Sequence, residues 1–362
     1  MTIARYHRVK AATQAALLFC IFFVIACGLG YPTLNRYDPR ATPGLSDVKS
    51  YAALVTGTAT VDEGHVRFRV LVPLLARPFY KLAQGRTATW DPVMFGLLVA
   101  NSLFVAATAL LIVILGTGLA NDPKSSRLES SAVGLLGALL FLVNFAVPNL
   151  RLVGLVDAAE GFFLLALLWS LSESRLGFLP TIAVLGTLTK ESFVPFIIAF
   201  TAAWWFTIRS DRDRRFISAI WIAISWAVSF ATMIALQWSI TGAFVSPLRF
   251  GLGLHYGQDY LGHFAASLSD RNLWYIFLWL LPTAIPNLKR FPKSWLIPVA
   301  ATCATTFALD AYFGGAAGTV GRALFSVAGP ILSLSSALFL LQIASVTGNH
   351  DGSLNGASSK RS

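Results

Sequence analysis

Long apolar runs separated by short polar segments organise almost the whole chain. They lie at about residues 11–30, 93–119, 132–150, 152–172, 178–208, 216–240, 273–288, 294–312 and 322–346. Most approach the ~20 residues an α-helix needs to cross a hydrocarbon core. The run 178–208 is too long for one crossing, and Thr189-Lys190-Glu191-Ser192 interrupts it near its middle. We read it as two short helices forming a hairpin. The pattern predicts an all-α polytopic membrane protein with about ten transmembrane helices.

The segments between the runs refine this. Residues 1–10 are basic, and with the first run they have the outline of a signal peptide; Val24-Ile25-Ala26-Cys27 even resembles a lipoprotein cleavage box. The run is long enough to span and the rest of the chain is polytopic, so we read a first transmembrane helix. Residues 31–92 form a long polar insertion with five acidic residues and eight Lys or Arg. Within it Val70–Tyr80 is apolar but too short to cross, which predicts a helix lying at the membrane surface. Residues 1–346 are read as one transmembrane domain, and the Gly- and Ser-rich residues 347–362 as a disordered cytoplasmic tail.

Composition agrees. The 362 residues are 56% hydrophobic and 12% charged, against ~25% charged in an ordinary globular domain. This excludes a soluble enzyme. The net charge of +11 is not a nucleic-acid signal, because the basic residues sit in short loops without interleaved aromatics. Ten spans from a cytoplasmic start place both termini inside the cell (inner or plasma) membrane. Inside segments then hold 15 Lys and Arg, against five outside apart from the long first loop. The positive-inside bias therefore supports both the orientation and the hairpin. Cys20, Cys27 and Cys303 all fall in apolar runs; the first two are ~10 Å apart along one helix, too far for a disulfide.

Charged residues at span ends are the functional candidates, because ionisable groups in a bilayer are costly. In this topology Arg151, Asp157, Glu160, Lys190, Glu191, Asp310 and Arg322 gather at the outer face, where the loop with Asp47, Arg67 and Arg69 also lies. Glu160, eight residues into its run, is ~12 Å along by helix rise and needs a partner or an aqueous pocket. Charges at one face suit an enzyme acting on lipid headgroups. A pump or channel would set them along a path through the bilayer.

Several local stretches carry a resemblance. Ser46-Asp47-Val48-Lys49-Ser50-Tyr51 places an acidic residue before a tyrosine in the loop after the first span. Phe68-Arg69-Val70-Leu71-Val72-Pro73-Leu74-Leu75 is similar to an Arg-x-x-x-Pro-Leu-Leu stretch. Asp157 opens a later span, Gly186-Thr187-Leu188-Thr189-Lys190-Glu191-Ser192 forms a hairpin tip, and Gly321-Arg322 precedes Pro330. In this order the segments resemble the GT-C class of integral membrane glycosyltransferases, of the bacterial mannosyltransferase-like kind, over about residues 10–345. One departure is that Asp47 has no acidic neighbour; the adjacent pair in the loop is Asp62-Glu63.

The resemblance implies transfer of a sugar from a polyprenyl-phosphate donor to an acceptor at the outer face. Asp47, with Asp157 second, is the expected general base. Arg67, Arg69, Arg151, Lys190 and Arg322 are expected to hold phosphate, with Glu160 and Glu191 completing substrate binding. No cofactor is required; a divalent cation stays open. The expected partners are the lipid-linked donor, membrane lipids and an acceptor the sequence does not name. A transporter or flippase for a lipid-linked sugar is the alternative, and it calls for a polar path across the midplane. His255, Asp259 and His263 recur every four residues, as metal ligands on one helical face do, but Gly251, Gly253, Gly257 and Gly262 argue against a firm helix, so no metal site is assigned. Phosphate-binding, dinucleotide and serine-hydrolase motifs are absent from the sequence.

Overall fold

The computed structural model describes residues 3–36, 46–58, 65–86, 89–119, 127–152, 154–208, 212–243, 259–313 and 319–358. Among them every regular element is helical. The chain opens with α1 (Ile3–Gly30), the single turn α2 (Thr33–Arg36) and α3 (Ser46–Thr56). A 3-10 turn at His65–Phe68 leads to α4 (Leu71–Ala83), then α5 (Pro92–Leu119) and α6 (Arg127–Val143). A π-helical turn at Val147–Arg151 precedes α7 (Asp157–Ser172), α8 (Leu179–Thr189), α9 (Phe193–Thr207) and α10 (Arg212–Thr241). The remaining helices are α11 (Tyr260–Leu268), α12 (Arg271–Phe277), α13 (Leu280–Ala284), α14 (Lys293–Phe313) and α15 (Thr319–Ser358).

Five stretches among the described residues are long and apolar enough to cross a membrane: Lys10–Asn35, Pro92–Leu119, Arg215–Thr241, Lys293–Tyr312 and Val320–Ser345. The other runs form shorter helices. The break at 190–192 divides 178–208 into α8 and α9. The run 273–288 is not one helix: Pro282 and Pro286 lack the N–H that would continue the ladder, so it divides into α12, α13 and a 3-10 turn at Ile285–Arg290. At the far end, the backbone of α15 continues through Ser358, into the residues read above as a tail.

α5 is the central pillar. Asp91 caps it, its Oδ1 accepting from the Val93 and Met94 amides at 2.7 and 3.3 Å, and Pro92 sits at the first position where no N–H is needed. α1, α4, α6 and α7 pack around it. Glycine sets two of these distances. A Cβ on Gly96 would lie 2.7 Å from the Ala76 carbonyl oxygen of α4, and one on Gly134 of α6 would lie 2.7 Å from the Val113 carbonyl oxygen of α5. α10, by contrast, is peripheral and exposes Phe216, Ile217, Ile220, Ile224 and Phe230. Such a face suits hydrocarbon rather than water.

Polar side chains inside the bundle serve the backbone. Ser335 donates to the Ala284 carbonyl at 2.6 Å and Ser336 to the Leu280 carbonyl at 3.4 Å, so α15 satisfies acceptors of the broken α13. Asn144 does the same for Ile276 at 3.1 Å. On the other side Arg77 of α4 donates from Nε and Nη2 to the Leu54 carbonyl at 3.0 and 2.8 Å, which caps α3 and fixes it to α4.

Close helix approach is testable through glycine. Gly134→Ala should cost about 1–3 kcal/mol in thermal unfolding in detergent, because backbone, not a movable side chain, opposes the new methyl. Gly28→Ala, with nothing within 4 Å of its Cβ, should leave stability unchanged or slightly raised. Equal melting of the two variants would mean that α5 and α6 are not in this contact.

Candidate functional site

Five segments far apart in sequence bring charged side chains to one place. α3 supplies Asp47 and Tyr51, four residues apart and so on one helical face. The link between the 3-10 turn and α4 supplies Arg69. α7 supplies Asp157 and Glu160 in its first turn. The break between α8 and α9 supplies Lys190, Glu191 and Ser192. α15 supplies Arg322 from its first turn.

Arg69 is the hub of one half. Its guanidinium grips the Glu191 carboxylate with both prongs, Nε to Oε2 at 2.8 Å and Nη2 to Oε1. Nη1 reaches the Tyr51 hydroxyl at 3.0 Å and Asp47 Oδ2 at 3.3 Å. Burial alone would lower the guanidinium's pKa, but the Glu191 carboxylate and Tyr51 more than offset this and hold it well above the usual arginine value. Burial pushes the Tyr51 phenol up, so it stays a neutral hydroxyl.

Lys190 is the hub of the other half. Its Nζ lies 2.8 Å from Asp157 Oδ1 and 3.2 Å from Glu160 Oε2. Ser192 donates to the other Glu160 oxygen, and Arg322 Nη1 lies 3.5 Å from Asp157 Oδ2. The local backbone explains the linkage. Lys190 ends α8 in an extended conformation, φ −162° and ψ 139°, and in extended backbone successive side chains point opposite ways. Lys190 therefore faces α7 while Glu191 faces Arg69.

α7 begins at Asp157, so Glu160 lies in its first turn rather than eight residues along a span. The π-helical turn and Gly154, at φ +89°, take up the intervening chain, and Asn101 of α5 holds that bend by donating to the Leu155 carbonyl at 2.7 Å. Both carboxylates thus sit at a helix N-terminus, where the backbone dipole favours negative charge.

Seven of the nine residues given a site role from sequence, Asp47, Arg69, Asp157, Glu160, Lys190, Glu191 and Arg322, join this network directly. Arg151 adjoins it but is fully enclosed. Its guanidinium lies over the Phe141 and Phe325 rings at 5.5 and 4.9 Å, and Nη2 donates to Ser326 at 3.0 Å. Arg67 stands apart, half-buried over the Phe68 ring at 4.9 Å. Sequence reading gave no role to Tyr51, Ser192 and Ser326; the first and last stand four residues after Asp47 and Arg322, the spacing that marks one helix face.

Asp259 caps α11 by accepting from the Gly262 amide at 2.7 Å, and the His263 ring lies 3.1 Å from the Ala311 carbonyl. His255 and the Asp62-Glu63 pair lie outside the described residues.

The bidentate Arg69–Glu191 pair makes a stability prediction. Arg69→Gln takes both prongs of the fork from a partly buried carboxylate and should cost about 3 kcal/mol. Arg69→Lys should recover only part, since an ammonium cannot reproduce the fork. A double-mutant cycle with Glu191→Gln, read by thermal unfolding, should show strong coupling; additive losses would rule the pair out as a stabilising contact.

Compared with protein-family models, with characterised proteins and with solved structures, the chain gives no match.

Proposed function

We propose that the protein transfers a sugar from a polyprenyl-phosphate donor to an acceptor hydroxyl or amide at the outer face of the cell membrane. It would do so on a GT-C-like scaffold of about ten spans, with residues 31–92 as the external loop and both termini cytoplasmic. The observation that carries this reading is the convergence of Asp47, Arg69, Asp157, Lys190, Glu191 and Arg322 into one partly open cluster. The segments that carry the family resemblance are the ones that meet there.

The chemistry follows from exposure. A general base must touch the acceptor, and the Asp47 side chain is 32% exposed against 5% for Asp157. Asp47 takes the acceptor's proton as the new bond forms at the sugar's anomeric carbon. The bond from that carbon to the phosphate oxygen breaks, and the electron pair leaves with the phosphate. That leaving group is already an anion and needs no general acid, only cations to hold its charge. Arg69, Lys190 and Arg322 suit this role, and incoming phosphate competes for them with Glu191 and Asp157. The transport alternative gains less support, because Ser335, Ser336 and Asn144 are engaged within the bundle, by backbone groups and, for Ser336, also by the Thr283 hydroxyl.

The test is an assay of the purified protein in lipid, with a panel of radiolabelled polyprenyl-phosphate sugars and acceptor extracts, following release of the lipid phosphate. Asp47→Ala should lower release by about 10²-fold or more while expression and melting are retained. Undiminished release would reject Asp47 as the base. No release from any donor by folded protein would reject the transferase and turn attention to lipid-sugar flipping in vesicles.

A further inference from the structure

Tyr51 carries a proton that the contacts around it do not use. Its ring is fully enclosed, and its hydroxyl is bonded to Nη1 of Arg69 at 3.0 Å. That bond has only one possible direction. A guanidinium has donors and no acceptor, so Arg69 donates and the Tyr51 oxygen accepts. The phenolic proton must point elsewhere, and Tyr51 makes no other hydrogen bond among the described residues. A buried donor left idle is costly. Holding Arg69 accounts for the oxygen of Tyr51 but not for its proton.

The neighbouring contacts narrow what can receive that proton. Asp47 Oδ2 lies 3.3 Å from the same Nη1, and Asp47 and Tyr51 share one face of α3. Glu191 occupies the other edge of the guanidinium, through Nε and Nη2. A phosphate that competes with Glu191 arrives on that edge, whereas the Tyr51 hydroxyl lies on the Asp47 side. A group placed there must give a proton to a carboxylate and take a hydrogen bond from a phenol. A hydroxyl oxygen does both and keeps a second lone pair. An amide nitrogen gives an N–H but accepts nothing, because its lone pair is shared with the carbonyl. A carboxamide meets both neighbours only by turning its carbonyl to Tyr51. That bond draws the nitrogen lone pair further into the carbonyl and away from any electrophile.

We propose that Tyr51 binds the acceptor, and that with Asp47 it selects an alcohol rather than an amide as the group that receives the sugar. This rests on the glycosyl-transfer reading and narrows it. The acceptor O–H donates to Asp47, and its oxygen accepts from the Tyr51 hydroxyl. As that oxygen bonds to the anomeric carbon, its proton passes to Asp47. The bond from the anomeric carbon to the phosphate oxygen breaks, and its electron pair leaves with the phosphate. Tyr51 keeps its own proton throughout. Its part is to fix where the acceptor oxygen stands relative to the base.

The test uses the full chain in lipid with two acceptor series, octyl glycosides for the hydroxyl and asparagine peptides for the amide, and follows radiolabelled sugar into each. Wild type should transfer to the alcohols about tenfold or more faster than to the amides; this comparison needs no variant. Tyr51→Phe keeps the ring, and Asp47 remains on Nη1, so the variant should fold. It should raise KM for the alcohol about fivefold and leave KM for the donor within about twofold. A merely structural role, felt through Arg69, would move the donor KM instead, because Arg69 is the residue that holds phosphate. A binding measurement separates failure here from failure of the transferase. Methyl glycosides should raise the melting temperature of wild type more than that of Tyr51→Phe. That difference, without transfer from any donor, would reject glycosyl transfer and keep the hydroxyl site. Transfer to amides as fast as to alcohols, an unchanged alcohol KM in Tyr51→Phe, or equal melting shifts in the two proteins would overturn the proposal.

Discussion

Burying charge is expensive, and the centre of this protein buries a good deal of it. Arg69, Lys190, Asp157 and Glu160 are all largely removed from solvent. An isolated ion in such a place would lose several kcal/mol of solvation. Each can exist there only because the others do. That mutual requirement ties α3, the entry to α4, the start of α7, the α8–α9 break and the start of α15 into one arrangement. Removing any hub would leave an uncompensated charge rather than a neutral gap.

Two adjacent residues at a helix break join the halves of the network. Because Lys190 is extended, it and Glu191 diverge, one toward α7 and the other toward Arg69. A continuous helix would turn adjacent side chains by about 100° and could not serve both partners in this way. The interruption that makes the run 178–208 unsuitable as a single crossing is thus also what builds the site. The same economy appears below it, where the proline breaks of α12 and α13 leave carbonyls that serines of α15 satisfy.

The scaffold gives these contacts their precision. α5 presents no charge and several buried small residues, so α4, α6 and α7 approach it closely on different sides. Asn101 then fixes the bend before α7, and the bend decides that Asp157 and Glu160 lie in a first turn. A pair held so firmly is preorganised, which is the property a site needs to stabilise charge that develops during a reaction.

The sequence by itself determined the class of molecule and the chemistry at hand. Apolar runs of membrane length force helices, because a bilayer offers backbone groups no other partner. Charges between such runs are few, so the costly ones stand out, and Asp47, Arg69, Asp157, Glu160, Lys190, Glu191 and Arg322 were all legible as candidates. The break at 190–192 was legible too, from length and polarity. What only the tertiary structure decided is who pairs with whom. Arg69 lies 122 residues from Glu191, and Arg322 lies 165 from Asp157. No local periodicity carries information over such separations. Tertiary packing also decided that Arg151 is enclosed while Arg322 reaches the cluster, though both are arginines at the ends of apolar runs. The difference rests on Gly161, Phe141 and Phe325, which form a cradle only when α6, α7 and α15 meet.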